Sequence, residues 1–234
     1  TRMKFRTEGL IIREQQTGED DRLVTLLTRD HGVIRAFVRG AKRIKSRSQS
    51  ATGLFAYGSY SIYRGRDAYS VDEAQPKEIF FDLRNDIEAL ALAQYFCELA
   101  GELAPVEDDA DEFLRLILNA LHMLMNKKRP QAQLKAVVDG ACGEEYDGNF
   151  LFSPVEGLIF CEKCRHKHSG VMLTPGVLRA MRHICYSEDE KLFSFTLGED
   201  SMKMLGEVTE RFLLTQTSKK FKTLDFYKAM AISQ

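Results

Sequence analysis

Apolar and polar positions alternate at short range over the first 80 residues. Apolar-rich segments stand at G9-L-I-I-R13, R22-L-V-T-L-L-T28, V33-I-R-A-F-V38, L54-F-A-Y-G-S-Y-S-I-Y63 and A68-Y-S-V-D72. Turn-forming stretches part them at T17-G-E-D-D21, R29-D-H-G32 and R64-G-R-D67, so the pattern predicts five short strands. Five strands in so short a span suggest a small barrel, and the five-stranded OB-fold has this size and takes oligonucleotides as its usual ligands. From Phe81 the period lengthens. Leu83, Ile87, Leu90, Ala91, Tyr95 and Leu99 fall at helical spacing, Pro105 follows, and a second helix is predicted over Asp111–Met125. A third begins at Q131-A-Q-L-K-A-V-V138, which makes a helical bundle the expected neighbour of the barrel.

Beyond Asp139 a turn-rich ribbon carrying cysteines gives way to helices again. Thr174 and Pro175 form a favoured N-cap and first-position pair, and Glu199 and Asp200 open a further helix with acids in its first turn. The expected class is therefore α+β: an N-terminal five-stranded OB-fold barrel over residues 1–80, a helical bundle domain over 81–138 and 171–234, and a zinc-ribbon-like element over 139–170.

Charge refines this picture. The 234 residues carry 33 Lys+Arg against 34 Asp+Glu, a near balance that hides a strong asymmetry. The basic residues gather near the N-terminus, above all in V38-R-G-A-K-R-I-K-S-R-S-Q49, whereas Glu98, Glu102, Glu107, Asp108, Asp109, Asp111 and Glu112 follow one another without a base between them. The basic stretch falls between the third and fourth predicted strands, as a loop able to follow a phosphate backbone, with Ser46, Ser48 and Ser50 as further hydrogen-bond donors. Phe37, Phe55, Tyr57, Tyr60 and Tyr63 lie nearby and fit either a base-stacking platform or the barrel core.

Five cysteines, an odd number, fit a reducing compartment and a metal site better than a disulfide framework. Cys161 and Cys164 form a CxxC, Cys142 precedes them at knuckle-like separation, and Asp139, His166 or His168 could complete a tetrahedral zinc site. A degenerate ribbon without metal fits the same residues. Cys97 and Cys185 lie in apolar helical stretches and are expected in the core. No apolar run reaches the roughly 18 residues of a membrane helix, and the cytoplasm is the expected compartment. The patterns of nucleotide-binding loops, zinc hydrolases, nucleophile elbows and zinc deaminases are absent from the sequence, so no enzyme is expected.

Several blocks carry a resemblance to a known family: E8-G-L-I-I-R13, T17-G-E-D-D-R-L-V-T-L-L-T-R-D-H-G32, A36-F-V-R-G-A-K-R-I-K-S-R47, F55-A-Y-G-S-Y60, L90-A-L-A-Q-Y-F-C-E-L-A100 and the cysteine ribbon. In this order they resemble RecO, the bacterial recombination mediator, over nearly the whole chain. The resemblance implies a non-enzymatic protein that binds single- and double-stranded DNA and anneals complementary strands. It further implies contact with the C-terminal tail of SSB and, together with RecR, help in loading RecA on SSB-coated DNA near the nucleoid. Carried over by position, the DNA-contacting candidates are Arg35, Arg39, Lys42, Arg43, Lys45 and Arg47, and the metal candidates are Cys142, Cys161 and Cys164. Two departures stand out. Asp139 takes the place of a cysteine common in the family, and the chain after Val138 is shorter than expected by about fifteen residues, or about four helical turns.

A second functional class also fits: an adaptor binding an acidic peptide tail through K219-K-F-K222 beside Phe226 and Tyr227, with DNA binding secondary. A zinc hydrolase would need a general base, and the sequence offers no candidate.

Overall fold

The computed structural model describes residues 3–40, 46–66, 68–127, 130–140, 150–161 and 165–231, with the backbone alone at 46–48, 139, 140, 161 and 166. The chain divides into two compact units. One comprises residues 1–125 together with 221–234, and the other residues 126–220. The helices predicted as one bundle are thus shared between units, and the boundaries differ from the expected 81–138 plus 171–234.

In the first unit the strands are β1 (Met3–Thr17), β2 (Asp21–Thr28), β3 (Gly32–Val38), β4 (Ala56–Arg64) and β5 (Tyr69–Ile79). They close into a barrel in the order β1-β2-β3-β5-β4. All neighbours are antiparallel except β3 and β5, which meet in parallel at Ala36 and Tyr69 and at Phe37 and Ser70. Period-two alternation sends one face of each strand inward, and the barrel core gathers Ile11, Val24, Leu26, Ile34, Ala36, Val38, Tyr60 and Ile62. Pro76 sits within β5, where a strand interior would lose a hydrogen bond, but it faces Gly58 at a register shift of the β4–β5 ladder. The strand therefore runs through a residue at which the pattern alone would end it.

A short helix, α1 (Ser46–Ala51), lies between β3 and β4. It has no apolar periodicity, which is why the sequence pattern misses it. A 3-10 turn at Phe81–Asn85 leads to α2 (Ile87–Leu103), capped by the Asp86 carboxylate, which accepts from the N–H groups of Glu88 and Ala89 at 3.1 Å. Leu92, Tyr95, Phe96 and Leu99 of α2 are buried, as are its alanines, so the helix is apolar on more than one side. It packs on the barrel, on α3 (Asp111–Met125) and on α7 (Lys222–Ala231). Phe221, just before α7, meets the Tyr95 ring edge-on at 5.9 Å.

The segment joining α2 to α3 is laced to the β2–β3 turn. The Val33 N–H donates to the Pro105 carbonyl at 2.9 Å and the Ala110 N–H to the Arg29 carbonyl at 2.8 Å. Gly32 has φ +60°, and a Cβ there would stand 2.0 Å from the Pro105 oxygen, so both the turn and the close approach require glycine.

The second unit holds α4 (Gln131–Gly140), the three-stranded antiparallel sheet of β6 (Phe150–Ser153), β7 (Leu158–Cys161) and β8 (Val171–Met172), then α5 (Pro175–Tyr186) and α6 (Glu199–Thr217). Thr174 caps α5 through its hydroxyl, which accepts from the Val177 N–H at 3.3 Å. Between α4 and α6 the Lys135 ammonium meets the Glu210 carboxylate at 2.7 Å, with both side chains largely buried. The neighbouring Gln133 amide donates to the carbonyls of Phe193 and Phe195 and so holds the irregular segment before α6 against α4. Among the described residues no helix is long and apolar enough to cross a membrane.

Candidate nucleic-acid interface

The outward residues of β3 are Val33, Arg35 and Phe37, and Arg39 follows in the turn just past the strand, so that Arg35 and Arg39 are exposed on either side of the half-buried Phe37. Cross-strand neighbours on β2 are Thr25 beside Arg35 and Leu23 beside Phe37. This strand leads directly into the basic loop. Gly40 adopts φ +60° and its N–H donates to the Asp21 carboxylate at 2.8 Å, which fixes where the loop leaves the barrel. The loop returns through α1, whose Ala51 is buried and accepts at its carbonyl from the Tyr60 hydroxyl at 2.7 Å. Both ends are thus fastened to the barrel. Lys42, Arg43 and Lys45, and the side chain of Arg47, lie outside the described residues.

Arg35 also stands where two open cavities of about 590 Å³ each meet on the outside of the barrel. One is lined by Arg35, Phe37, Arg64, Arg66, Tyr69 and Glu107, and the other includes Arg13, Gln15, Arg35 and Lys222. The result is a trough that carries three arginines in the first cavity and mixes Arg13, Arg35 and Lys222 with Glu14, Glu98 and Glu102 in the second. Arg13, Arg64, Arg66 and Tyr69 were not singled out from sequence as site residues, and Lys222 was named only for the acidic-peptide reading. Their charge was legible, but only the parallel β3–β5 pairing and the return of α7 to the first unit place them beside Arg35. In the first cavity Glu107 is the carboxylate of the lining: it accepts from Arg64 Nη2 at 3.1 Å and from the Tyr69 hydroxyl at 2.9 Å. Burial, followed by Glu107, raises the Tyr69 pKa.

The aromatic residues near the basic loop divide. Phe55 and Tyr60 are fully buried and belong to the core, whereas Phe37, Tyr57 and Tyr63 are only partly covered. Tyr57 takes part in a polar network that includes Glu8, Lys77, Arg29 and Asp111. The Glu8 carboxylate accepts from the Tyr57 hydroxyl at 2.7 Å and from Lys77, and Arg29 bridges Glu8 at 3.0 Å and Asp111 at 2.9 Å. Burial first, then Glu8, pushes the Tyr57 phenol up to about 12.

The hydrogen bonds from Lys77 and Tyr57 hold the Glu8 carboxyl below its ordinary value of 4.5, so its contribution to stability is complete above that pH and is lost as pH falls through the lower folded value. Glu8→Gln is expected to flatten the decline of Tm below pH 4.5 in calorimetry, and an unchanged slope would show that the network does not steady the fold.

Of the metal candidates, Cys142 and Cys164 lie outside the described residues, as do the side chains of Cys161, Asp139 and His166. His168 stacks on Phe160 at 3.5 Å, and its Nδ1 lies 3.0 Å from the Glu156 carboxylate. No group of three or more metal-binding side chains occurs among the described residues. Cys97 is buried, and burial raises its thiol pKa strongly, as a core position implies. Cys185 corrects the expectation: it is exposed, because α5 buries Val177, Leu178, Ala180 and Ile184 and turns Cys185 away from that face. Near the C-terminus Phe221 and Tyr227 are buried and Phe226 is 44% exposed, which leaves only the last of these aromatics open to a partner.

Comparison with known proteins agrees with the order of these elements. Two family models match in tandem, Recombination protein O N terminal over residues 3–80 and Recombination protein O C terminal over residues 84–139. The DNA repair protein RecO of Acetivibrio thermocellus is 29% identical over 243 residues, covering 97% of each chain. That of Alkaliphilus metalliredigens is 23% identical over 97% of this chain and 99% of its own, and that of Symbiobacterium thermophilum 26% identical over 95% and 96%. These matched stretches of 243, 247 and 242 residues exceed the 234 of this chain, so each relative carries residues without a counterpart here. With the barrel falling under the first family model and α2, α3 and most of α4 under the second, the chain belongs to the RecO family.

Proposed function

We propose that this protein is a DNA-binding recombination mediator that acts without covalent chemistry. The observation that carries the reading is the exposed pair of Arg35 on β3 and Arg39 just past its end, flanking Phe37 and continuous with the anchored basic loop. The closed barrel is read as an OB-fold, whose outer strands and loops offer a groove to a nucleic-acid strand. Guanidinium groups along the trough neutralise phosphates and release counterions, and Lys42, Arg43, Lys45 and Arg47 extend that field beyond β3. Neutralised in this way, two complementary single strands approach with their base edges free, which suffices for annealing. Membership of the family supports the same reading, with RecR and the SSB tail as protein partners, help in loading RecA as the outcome, and a cytoplasmic setting.

Zinc belongs to the proposal as well. Cys142, Cys161 and Cys164 would hold it, with Asp139, His166 or His168 as the fourth ligand. Glu156 already engages His168 Nδ1, an outer-shell contact of the kind that leaves Nε2 to a metal. A zinc ion there would be structural, tying Cys142 and Cys164 to the β6–β8 sheet through Cys161. Exposed Phe226, one helical turn from Lys222, favours the second reading, an acidic peptide docking beside the DNA-binding role.

Binding of a fluorescent single-stranded oligonucleotide across a salt series tests the main reading. The wild type is expected to lose affinity steeply with salt, and an Arg35→Ala/Arg39→Ala variant to show a log–log slope shallower by nearly two. No binding at low salt would overturn the function. An unchanged slope in the variant would remove β3 from the interface and leave the acidic-peptide reading in first place.

A further inference from the structure

We infer that Arg64 and Tyr69 form a phosphodiester subsite that the protein's own Glu107 occupies, so that a DNA strand enters the trough by displacing a built-in anion. This rests on the DNA-binding reading and adds to it a named position and a competitor.

Arg64 and Tyr69 donate to a single oxygen of Glu107, at 3.1 and 2.9 Å, in the way two donors take one phosphate oxygen. The cavity around them is lined by Arg35 and Arg66 as well, three arginines facing one carboxylate, and its volume of about 590 Å³ leaves room for a sugar-phosphate segment. The guanidinium of Arg64 also lies 5.7 Å from the centre of the Tyr69 ring, so the two donors are oriented by each other and not only by the acid.

Glu107 is presented by a strap held on both of its sides, through Pro105 to Val33 and through Ala110 to Arg29. Its backbone has φ +57°, a region that non-glycine residues seldom enter, and it carries the carboxylate into the trough. The next acids point elsewhere in their bonding: Asp108 accepts from the Asp109 N–H and Asp109 from the Asp111 N–H, both at 2.8 Å, as turn and helix-start contacts. Glu107 is therefore the acid of this run whose recorded bonds cross to the barrel's cations at the β4–β5 turn. The Arg64 and Glu107 side chains are 50% and 55% exposed, and an exposed pair of this kind is weak enough for a polyanion to replace.

The test is oligonucleotide binding across a salt series for the full chain and for Glu107→Gln, Glu107→Gly, Arg64→Ala and Arg64→Ala/Glu107→Gln. Glu112→Gln serves as control, because it removes the same charge from the same acidic run. Glu107→Gly also relieves the left-handed backbone, so a gain there does not depend on a strained variant folding. The expected result is that both Glu107 variants bind about three- to ten-fold more tightly at low salt, with a slope steeper by about one. Arg64→Ala should cost little in the wild type and cancel that gain in the double variant. Two results would overturn the inference while leaving DNA binding intact: Glu107 variants no tighter than Glu112→Gln, or a gain that survives loss of Arg64. A wild type without salt-dependent binding overturns the functional reading and the subsite with it.

Discussion

Glu210→Ala is expected to destabilise the second unit by about 3–5 kcal/mol, the range for removing one member of a buried ion pair. The Lys135 and Glu210 side chains are only 9% and 15% exposed and meet at 2.7 Å between α4 and α6. Without the carboxylate, an ammonium remains in a place where water reaches it poorly, and desolvation outweighs what packing returns. Hydrogen exchange of the full chain provides the measurement, since amide protection in α4 and α6 reports on that unit separately. Exchange there should accelerate by about two to three and a half orders of magnitude, at tenfold per 1.4 kcal/mol. The shape-matched double change Lys135→Met/Glu210→Leu should restore most of the loss. If the single variant loses less than about 1 kcal/mol, the pair is effectively solvated and contributes as a surface bridge would.

Phe221→Ala should have a comparable effect on the first unit, about 3–5 kcal/mol, because it deletes a large side chain that is 2% exposed and leaves a cavity against Tyr95. The damage should reach α7 before the barrel. Thr223, the second residue of that helix, donates its N–H and hydroxyl to Glu98 of α2, so two polar ties remain to hold α7 near its place after the ring is gone. Limited proteolysis should cut the variant within residues 222–231 while β1–β5 stay intact. Wild-type resistance at that segment would show that the polar ties hold α7 without the ring.

Sequence patterning located the barrel from short apolar segments parted by turns, the clearest being β3, where Ile34, Ala36 and Val38 face in and Arg35 and Phe37 face out. It found α3 at its observed limits for a similar reason: Leu114, Ile117, Leu121 and Leu124 mark a clean helical stripe. The misses also have physical causes. Pro76 reads as a strand breaker unless the Gly58 register shift is known, and a register shift is a property of two strands together. Helix α7 begins in a lysine-rich stretch that reads as a solvated end, and only tertiary contact with α2 reveals which of its aromatics are core. The candidate site was legible in part. Arg35 and Arg39 were named through the family resemblance, with Arg39 also inside the basic stretch, but Arg64, Arg66 and Tyr69 become their neighbours through a parallel pairing that no local pattern encodes. The contact between Glu107 and Arg64 spans 43 residues and depends on a strap whose bonds are long-range, so it lay beyond any reading of the acidic run as a run.

The packing of α7 on α2 also has a temporal meaning. Glu98 and Thr223, which tie the two helices, are 125 residues apart in the chain. A ribosome adding about 5–20 residues per second makes the second of them some 6–25 seconds after the first. Through that interval the whole of residues 126–220 is synthesised, while Tyr95 waits for the ring of Phe221. A nascent chain can therefore close its barrel early but cannot cover α2, and that helix offers an apolar face to chaperones until α7 arrives.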